Sequence, residues 1–323
     1  MHKVLKIGLA LCIVCSLFVF ISATDFEKVA NSLEKIGYKF GALLLITLVA
    51  YYLGTLSWKY CLGEKSNAVS IYRLFMIRHV GETLALVNPA SIVGGDAFKG
   101  VLLKADELDQ KTVIVSIISS RMVMILTQLL LFFFVALILF TNQNTLSIIP
   151  AAGNTYIVYY GTAGLCLFLA IAWFFRSWLK QKLKPFLLKV AEIIEGLKHH
   201  FKYHKYKLFL SCVFATLHWF FGALEFYLIL KFLNIEVTVI QALLVDMGVI
   251  FFKTAGAFIP GQIGIEEYGN KIMLMTIGIP GTEIWIVASI LRRTRQLVWI
   301  VLGIAIYFLV FKNREPALLN TSS

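Results

Sequence analysis

Three arginines, Arg121, Arg292 and Arg295, lie in stretches of sequence otherwise suited to hydrocarbon. A charge near the bilayer centre is expensive, so such a side chain turns inward, toward a partner or a wet cavity. On a helix Arg292 and Arg295 share a face, and Arg293 points off it. Two uses compete for that pair. One is a clamp on a phosphate, since a guanidinium presents a planar fork of donors to an oxyanion. The other is structural pairing with Asp246, Glu225, Glu266 or Glu267. Arg121 also stands close enough to the start of its stretch to snorkel toward the interface.

Other ionisable residues fall into helical spacing. Asp246 and Lys253 are two turns apart and can both face an interior, as a titrating carboxylate or as halves of an internal salt bridge. His218 and Glu225 repeat that spacing. Arg78 and Glu82 form an i,i+4 pair able to stabilise their own helix. For acid–base chemistry only Glu266, Glu267 and His79 present themselves. No second histidine accompanies His218, so no metal site is expected there. No Walker, dinucleotide-binding or His-Glu-x-x-His pattern is found, and no cofactor is expected.

The elements that must hold these charges are membrane helices. Of 323 residues 59% are hydrophobic and 15% charged, against roughly 25% charged in soluble domains. Mean hydropathy is +0.82. A soluble enzyme, a disulfide scaffold and a disordered tail protein are excluded. The five cysteines read as small apolar side chains. Taking roughly 20 apolar residues per crossing, candidate spans are 7–22, 40–58, 113–140, 156–175, 208–230, 237–259 and 284–311, with 69–93 and 268–279 weaker. Residues 7–22 also have the look of a signal peptide, but another span follows, so they read as a retained first helix.

Net charge is +12, and residues 176–207 hold nine Lys/Arg against two Glu. That loop is expected on the cytoplasmic side, as a basic connector or a headgroup-binding surface; nucleic acid is not an expected partner. Both termini then read as cytoplasmic, which requires an even number of crossings: eight if 268–279 crosses and 69–93 dips in and returns, otherwise six. The expected fold is all-α, a polytopic transmembrane bundle with two pseudo-symmetric halves in one domain over 1–312, followed by a short tail, 313–323.

The halves are suggested by a weak repeat. Asn88-Pro89-Ala90-Ser91-Ile92-Val93-Gly94-Gly95-Asp96 stands in the first, and Pro260-Gly261-Gln262-Ile263-Gly264-Ile265-Glu266-Glu267 in the second. An arginine follows each proline at 32 residues (121 − 89 and 292 − 260). Proline removes a backbone donor and glycine permits turns and close approach. Non-helical backbone at membrane depth survives only inside protein or along a wet cavity. A re-entrant segment about 69–98 and a broken one about 257–267 are therefore expected, with Pro89, Gly94, Gly95, Pro260, Gly261, Gly264 and Glu267 beside the arginines at a binding site. Glu82, Glu225, Asp246, Lys253 and Glu266 are the candidate coupling or charge-pair residues. Ordinary kinks are the plain alternative.

These segments and the arginine-bearing last helix resemble the flippase-like membrane family related to the N-terminal membrane portion of lysylphosphatidylglycerol synthases, over nearly the whole chain. The family's second segment usually reads Pro-Gly-Gly-x-Gly-x-x-Glu. Here Gln262 replaces the second glycine, Glu267 fits the acidic position and Glu266 is additional. Lys99 stands where the family often carries a basic residue soon after the first Gly-Gly. The resemblance implies movement of an anionic phospholipid, an aminoacylated phospholipid or a polyprenyl-phosphate-linked sugar between leaflets of a bacterial cytoplasmic membrane. A lipid-synthesis enzyme is a candidate partner, and transfer of an amino acid to lipid is not expected of these residues. The alternatives are a membrane enzyme of lipid or glycolipid synthesis, and a scaffold recruiting synthases through 176–207.

Overall fold

A computed structural model describes residues 36–87, 91–104, 108–141, 201–255 and 264–311, together with Glu27, Glu34, Ile194, Glu195, Gly196, Lys198 and Gln262. The expected spans 7–22 and 156–175, most of the loop 176–207 and the tail 313–323 lie outside the described residues, as do Pro89, Pro260 and Gly261. The described chain is all α-helix with short 3-10 and π turns: α1 (Phe40–Cys61), α2 (Ile71–Val87), α3 (Ser91–Lys104), α4 (Gln110–Thr141), α5 (Lys205–Phe232), α6 (Val239–Ala255), α7 (Ile265–Thr276) and α8 (Thr282–Ile306), the last running into a π turn over Tyr307–Phe311. Among the described residues four stretches are long and apolar enough to cross a membrane: Gly37–Cys61, Gln110–Leu139, Lys205–Phe232 and Ile284–Phe311.

Local signals set several helix ends. Thr238 and Gln241 cap α6 reciprocally: the Gln241 amide donates to Thr238 Oγ1 at 3.2 Å, and the Thr238 amide to Gln241 Oε1 at 2.9 Å. Asn234, at φ 59°, ends α5 in the left-handed conformation that lets the Ile235 amide reach back to Leu230 O at 2.9 Å. Gly278, at φ 85°, ends α7 in the same way.

Packing defines two ends of the bundle. At one, Lys207 Nζ donates to Gly63 O at 2.7 Å and to Ser66 Oγ at 3.0 Å, joining the start of α5 to the turn after α1. Lys65, Lys111 and His204 line a cleft there, so α4 starts at this basic end too. At the other end Ile36, Ile235, Val237, Ile277 and Ile279 share one apolar cluster, and Lys39 lies over the Phe232 ring. The antiparallel α1 and α5 connect the ends.

Between them sit two helical hairpins. The first, α2–α3, leaves the basic end and returns to it. The second, α6–α7, leaves the opposite end and returns there. At 1.5 Å per residue α7 is about 18 Å long, short of a hydrocarbon core of about 30 Å, so it is a returning limb. Each hairpin has its own apolar core: Trp58, Leu74, Ile77, Leu102, Leu103 and Phe311 around the first, and Phe226, Leu230, Leu244, Val249, Leu274 and Leu291 around the second.

Lipid tails are as apolar as leucine, so close packing and polar contacts must hold such helices together. The first hairpin shows how. Gly95 faces the backbone carbonyl of Gly81, with no room for a Cβ between them. Gly94 and Gly95 are expected at the break; they lie within α3 instead, and the smallness of Gly95 is used for limb-to-limb contact. The outward face of α4 carries Met122, Ile125, Leu130, Phe133 and Leu137, all exposed at helical spacing and suited to lipid.

Candidate functional site

Each hairpin carries a charge cluster of one plan. In the first, Glu82 comes from α2 and Asp96 from α3. Arg121, from the following long helix, meets Asp96 with two parallel hydrogen bonds, Nε to Oδ2 at 2.7 Å and Nη2 to Oδ1 at 2.8 Å, and reaches Glu82 Oε1 at 3.4 Å. Lys99 crosses the hairpin, donating to Glu82 at 2.6 Å and to Asp96 at 3.0 Å.

In the second hairpin Asp246 comes from α6 and Glu266 from α7. Arg292, again from the next long helix, donates through Nη2 to Asp246 Oδ1 at 2.8 Å and sets Nε 3.3 Å from Glu266 Oε1. Lys253 crosses this hairpin to Glu266 Oε2 at 3.2 Å, and Gln296 Nε2 donates to the same oxygen at 3.0 Å. Both halves thus hold one carboxylate per limb, one lysine, and an arginine 32 residues beyond the proline. The lysine sits on the returning limb in the first half and on the entering limb in the second.

Further pairs extend the second cluster. Arg295 Nε lies 2.7 Å from Glu225 Oε1 without the alignment of a hydrogen bond, and its Nη1 donates to Thr47 Oγ1 at 3.3 Å. Arg293 pairs with Glu267. Glu267 Oε2 also accepts the Gly264 amide at 2.8 Å, so this side chain caps α7. Arg292, Arg295, Asp246, Glu225 and Glu266 are each no more than 6% exposed.

Several sequence expectations change. Arg78 does not pair with Glu82; its Nη1 donates to the Tyr51 carbonyl at 2.8 Å, because Glu82 is drawn to Lys99 and Arg121. Asp246 and Lys253 face the same interior but take different partners. Arg121 is in a cluster of its own, apart from Arg292 and Arg295. His218 Nδ1 donates to the Ala50 carbonyl at 2.6 Å, and His79 Nε2 to the Trp299 carbonyl at 2.9 Å. Arg78 and the place of Lys99 in a hairpin-crossing pair escaped the sequence reading. The signal for Arg78 was present, an arginine deep in an apolar stretch, but its helical neighbour Glu82 gave it a ready local explanation.

One helix ties the clusters together: within about one turn α1 offers Thr47 to Arg295, the Ala50 carbonyl to His218 and the Tyr51 carbonyl to Arg78. Gln262, where the resembled family has glycine, holds φ 52°, and Gly264 holds φ 81°. Among the described residues no group of three or more His, Cys, Asp or Glu is placed to hold a metal.

Apolar stripes facing outward, charge clusters facing inward and, among the described residues, four helices long and apolar enough to span define a multi-pass, all-α membrane protein. The chain belongs to the family described as the lysylphosphatidylglycerol synthase TM region, whose profile matches residues 4–315. That membership relates it to the membrane region of lipid-synthesis proteins. No curated protein and no solved structure matches it.

Proposed function

We propose that the protein carries an anionic lipid headgroup between leaflets of a bacterial cytoplasmic membrane, with the basic end of the bundle on the cytoplasmic side. The observation that carries this reading is the pair of hairpins entering from opposite ends, each with a bridged, hairpin-crossing charge cluster. Inverted repeats with interrupted helices are a recurrent transporter plan, with the binding site between the repeats.

The energetic problem is to carry a phosphate through a medium that strongly disfavours bare charge. Fixed arginines and lysines solve it by exchange: the phosphate takes the place of a carboxylate on a guanidinium that is already desolvated. Arg292 suits such exchange. Its Nη1 has no hydrogen-bond partner, and its contact with Glu266 is not aligned as a hydrogen bond. Releasing a carboxylate also frees one limb of a hairpin from the next long helix, which couples headgroup binding to hairpin movement. The acyl chains remain in the bilayer throughout, and the lipid undergoes no bond-making step.

The test is movement of fluorescent phosphatidylglycerol in proteoliposomes, read by quenching of the outer leaflet. Lys253→Met with Glu266→Gln removes a hairpin-crossing pair without stranding either charge, so the fold is expected to survive. Headgroup movement should slow at least tenfold. Full-rate movement in that double variant, or none in the wild-type protein, would overturn the reading.

A further inference from the structure

The two clusters differ in charge balance. In the second, Lys253, Arg292 and Arg295 face Asp246, Glu225 and Glu266, and Arg293 pairs with Glu267. Among the described residues the first holds Arg78, Lys99 and Arg121 against Glu82 and Asp96, which leaves one positive charge over. The surplus belongs to Arg78. Among the described residues it has no carboxylate within salt-bridge distance, and its one hydrogen bond runs to a backbone carbonyl.

Arg78 also has a seat and a cleft. Its guanidinium lies against Gly54 of α1, where a Cβ would stand 2.5 Å from Nη1. Trp58, Lys99, Ser120 and Arg121 line the cleft beside it, which in this closed arrangement has a free volume of about 20 Å³, room for little more than a water. Arg78 stands about 11 Å along α2 from the basic end. A partly buried cation at a cleft, with four further donors of its own, is built for an anion.

We infer that the cleft formed by Arg78, Lys99, Arg121 and Trp58 is where a phosphodiester carrying a single negative charge first seats, ahead of the exchange at Arg292 in the charge-balanced second cluster. This rests on the headgroup-carrying reading and names its substrate class. One surplus positive charge matches one phosphodiester. A phosphomonoester, at about −1.5 to −2 near neutral pH, over-fills the site. A zwitterionic head brings its own cation beside Arg78. Seating the phosphate requires Arg121 to loosen from Asp96, since the cleft is narrow.

Binding in detergent tests this without any bilayer, so it stands or falls separately from transport. Dihexanoyl phosphatidylglycerol, dihexanoyl phosphatidylcholine, dihexanoyl phosphatidic acid and inorganic phosphate are titrated into the purified full chain by calorimetry. Phosphatidylglycerol should bind at least about tenfold tighter than the other three, the worth of one charge-assisted hydrogen bond. Arg78→Gln should erase that preference and Arg78→Lys should restore part of it. Gly54→Ala, which keeps the charge but displaces the guanidinium, should weaken binding about as much as Arg78→Gln. Equal binding of phosphatidylglycerol to wild type and Arg78→Gln would overturn the seat, and so would equal affinity for inorganic phosphate. Preference retained in Gly54→Ala would overturn the geometry.

Discussion

Arg121 and Arg292 stand on helices that run in opposite directions, yet each lies between two carboxylates drawn from the two limbs of the hairpin before it. They sit about 17 Å and 15 Å along their helices, from opposite ends of the bundle. The relationship is one of inverted halves: the same arginine, at the same distance from a proline, closing the same kind of hairpin from the other side. Their surroundings differ. The Arg121 side chain is 32% exposed and that of Arg292 is 7%.

That difference predicts unequal mutational effects. Arg292→Ala leaves Asp246 and Glu266 without their arginine in a closed interior and should cost about 3–5 kcal/mol. Arg121→Ala exposes Asp96 to a wetter cleft and should cost roughly 1.5–3 kcal/mol. Unfolding in detergent should therefore rank wild type above Arg121→Ala and Arg121→Ala above Arg292→Ala; the reverse order would contradict the burial of the second cluster.

Gln262 occupies a left-handed conformation that costs a non-glycine residue roughly 1–2 kcal/mol. Gln262→Gly should raise stability by up to about that amount, less the weak Nε2 hydrogen bond to Lys253 O at 3.4 Å. A higher midpoint in the same detergent assay is the expected result, and a clear fall would show that the side chain matters more than the backbone.

Limb contact in the first hairpin should be sensitive to a single methyl group. Gly95→Ala sets a Cβ against the Gly81 carbonyl, and neither backbone can yield without separating α2 from α3. Gly100→Ala meets only Ile117 and Val113 side chains at 3.7 and 3.8 Å, an ordinary contact. Spin labels on the two limbs should report a longer distance in Gly95→Ala and an unchanged one in Gly100→Ala.

Asp109 offers a pH test outside the membrane. It caps α4 through the Thr112 amide at 2.9 Å, and that bond holds its carboxyl below the usual range. A depressed folded-state pKa means the stabilisation is present above the unfolded value, about 3.9, and is lost as pH falls through the folded one. Asp109→Ala should therefore cost about 1 kcal/mol near neutral pH and nothing additional in strong acid. Asp109→Asn should keep most of the cap and lose its pH dependence, measured as the shift in unfolding midpoint against pH.

Much of this was legible in the residue order. Apolar runs gave the helices, since hydrocarbon leaves no other way to satisfy a backbone in an isolated segment. The arginine spacing pointed to two related halves, and the intramembrane charges marked the interior because they had nowhere else to go. The choice of partners was not legible. Spacing along one helix offered Arg78 to Glu82 and Lys253 to Asp246, but those carboxylates were taken by Lys99, Arg121 and Arg292 across hairpins. An ion pair is decided by a few ångströms in three dimensions, and residues 39 or 46 apart in the chain become neighbours only when helices pack. Gly95 is the same case: a glycine in sequence fits either a break or a close contact, and only the facing carbonyl of Gly81 decides between them.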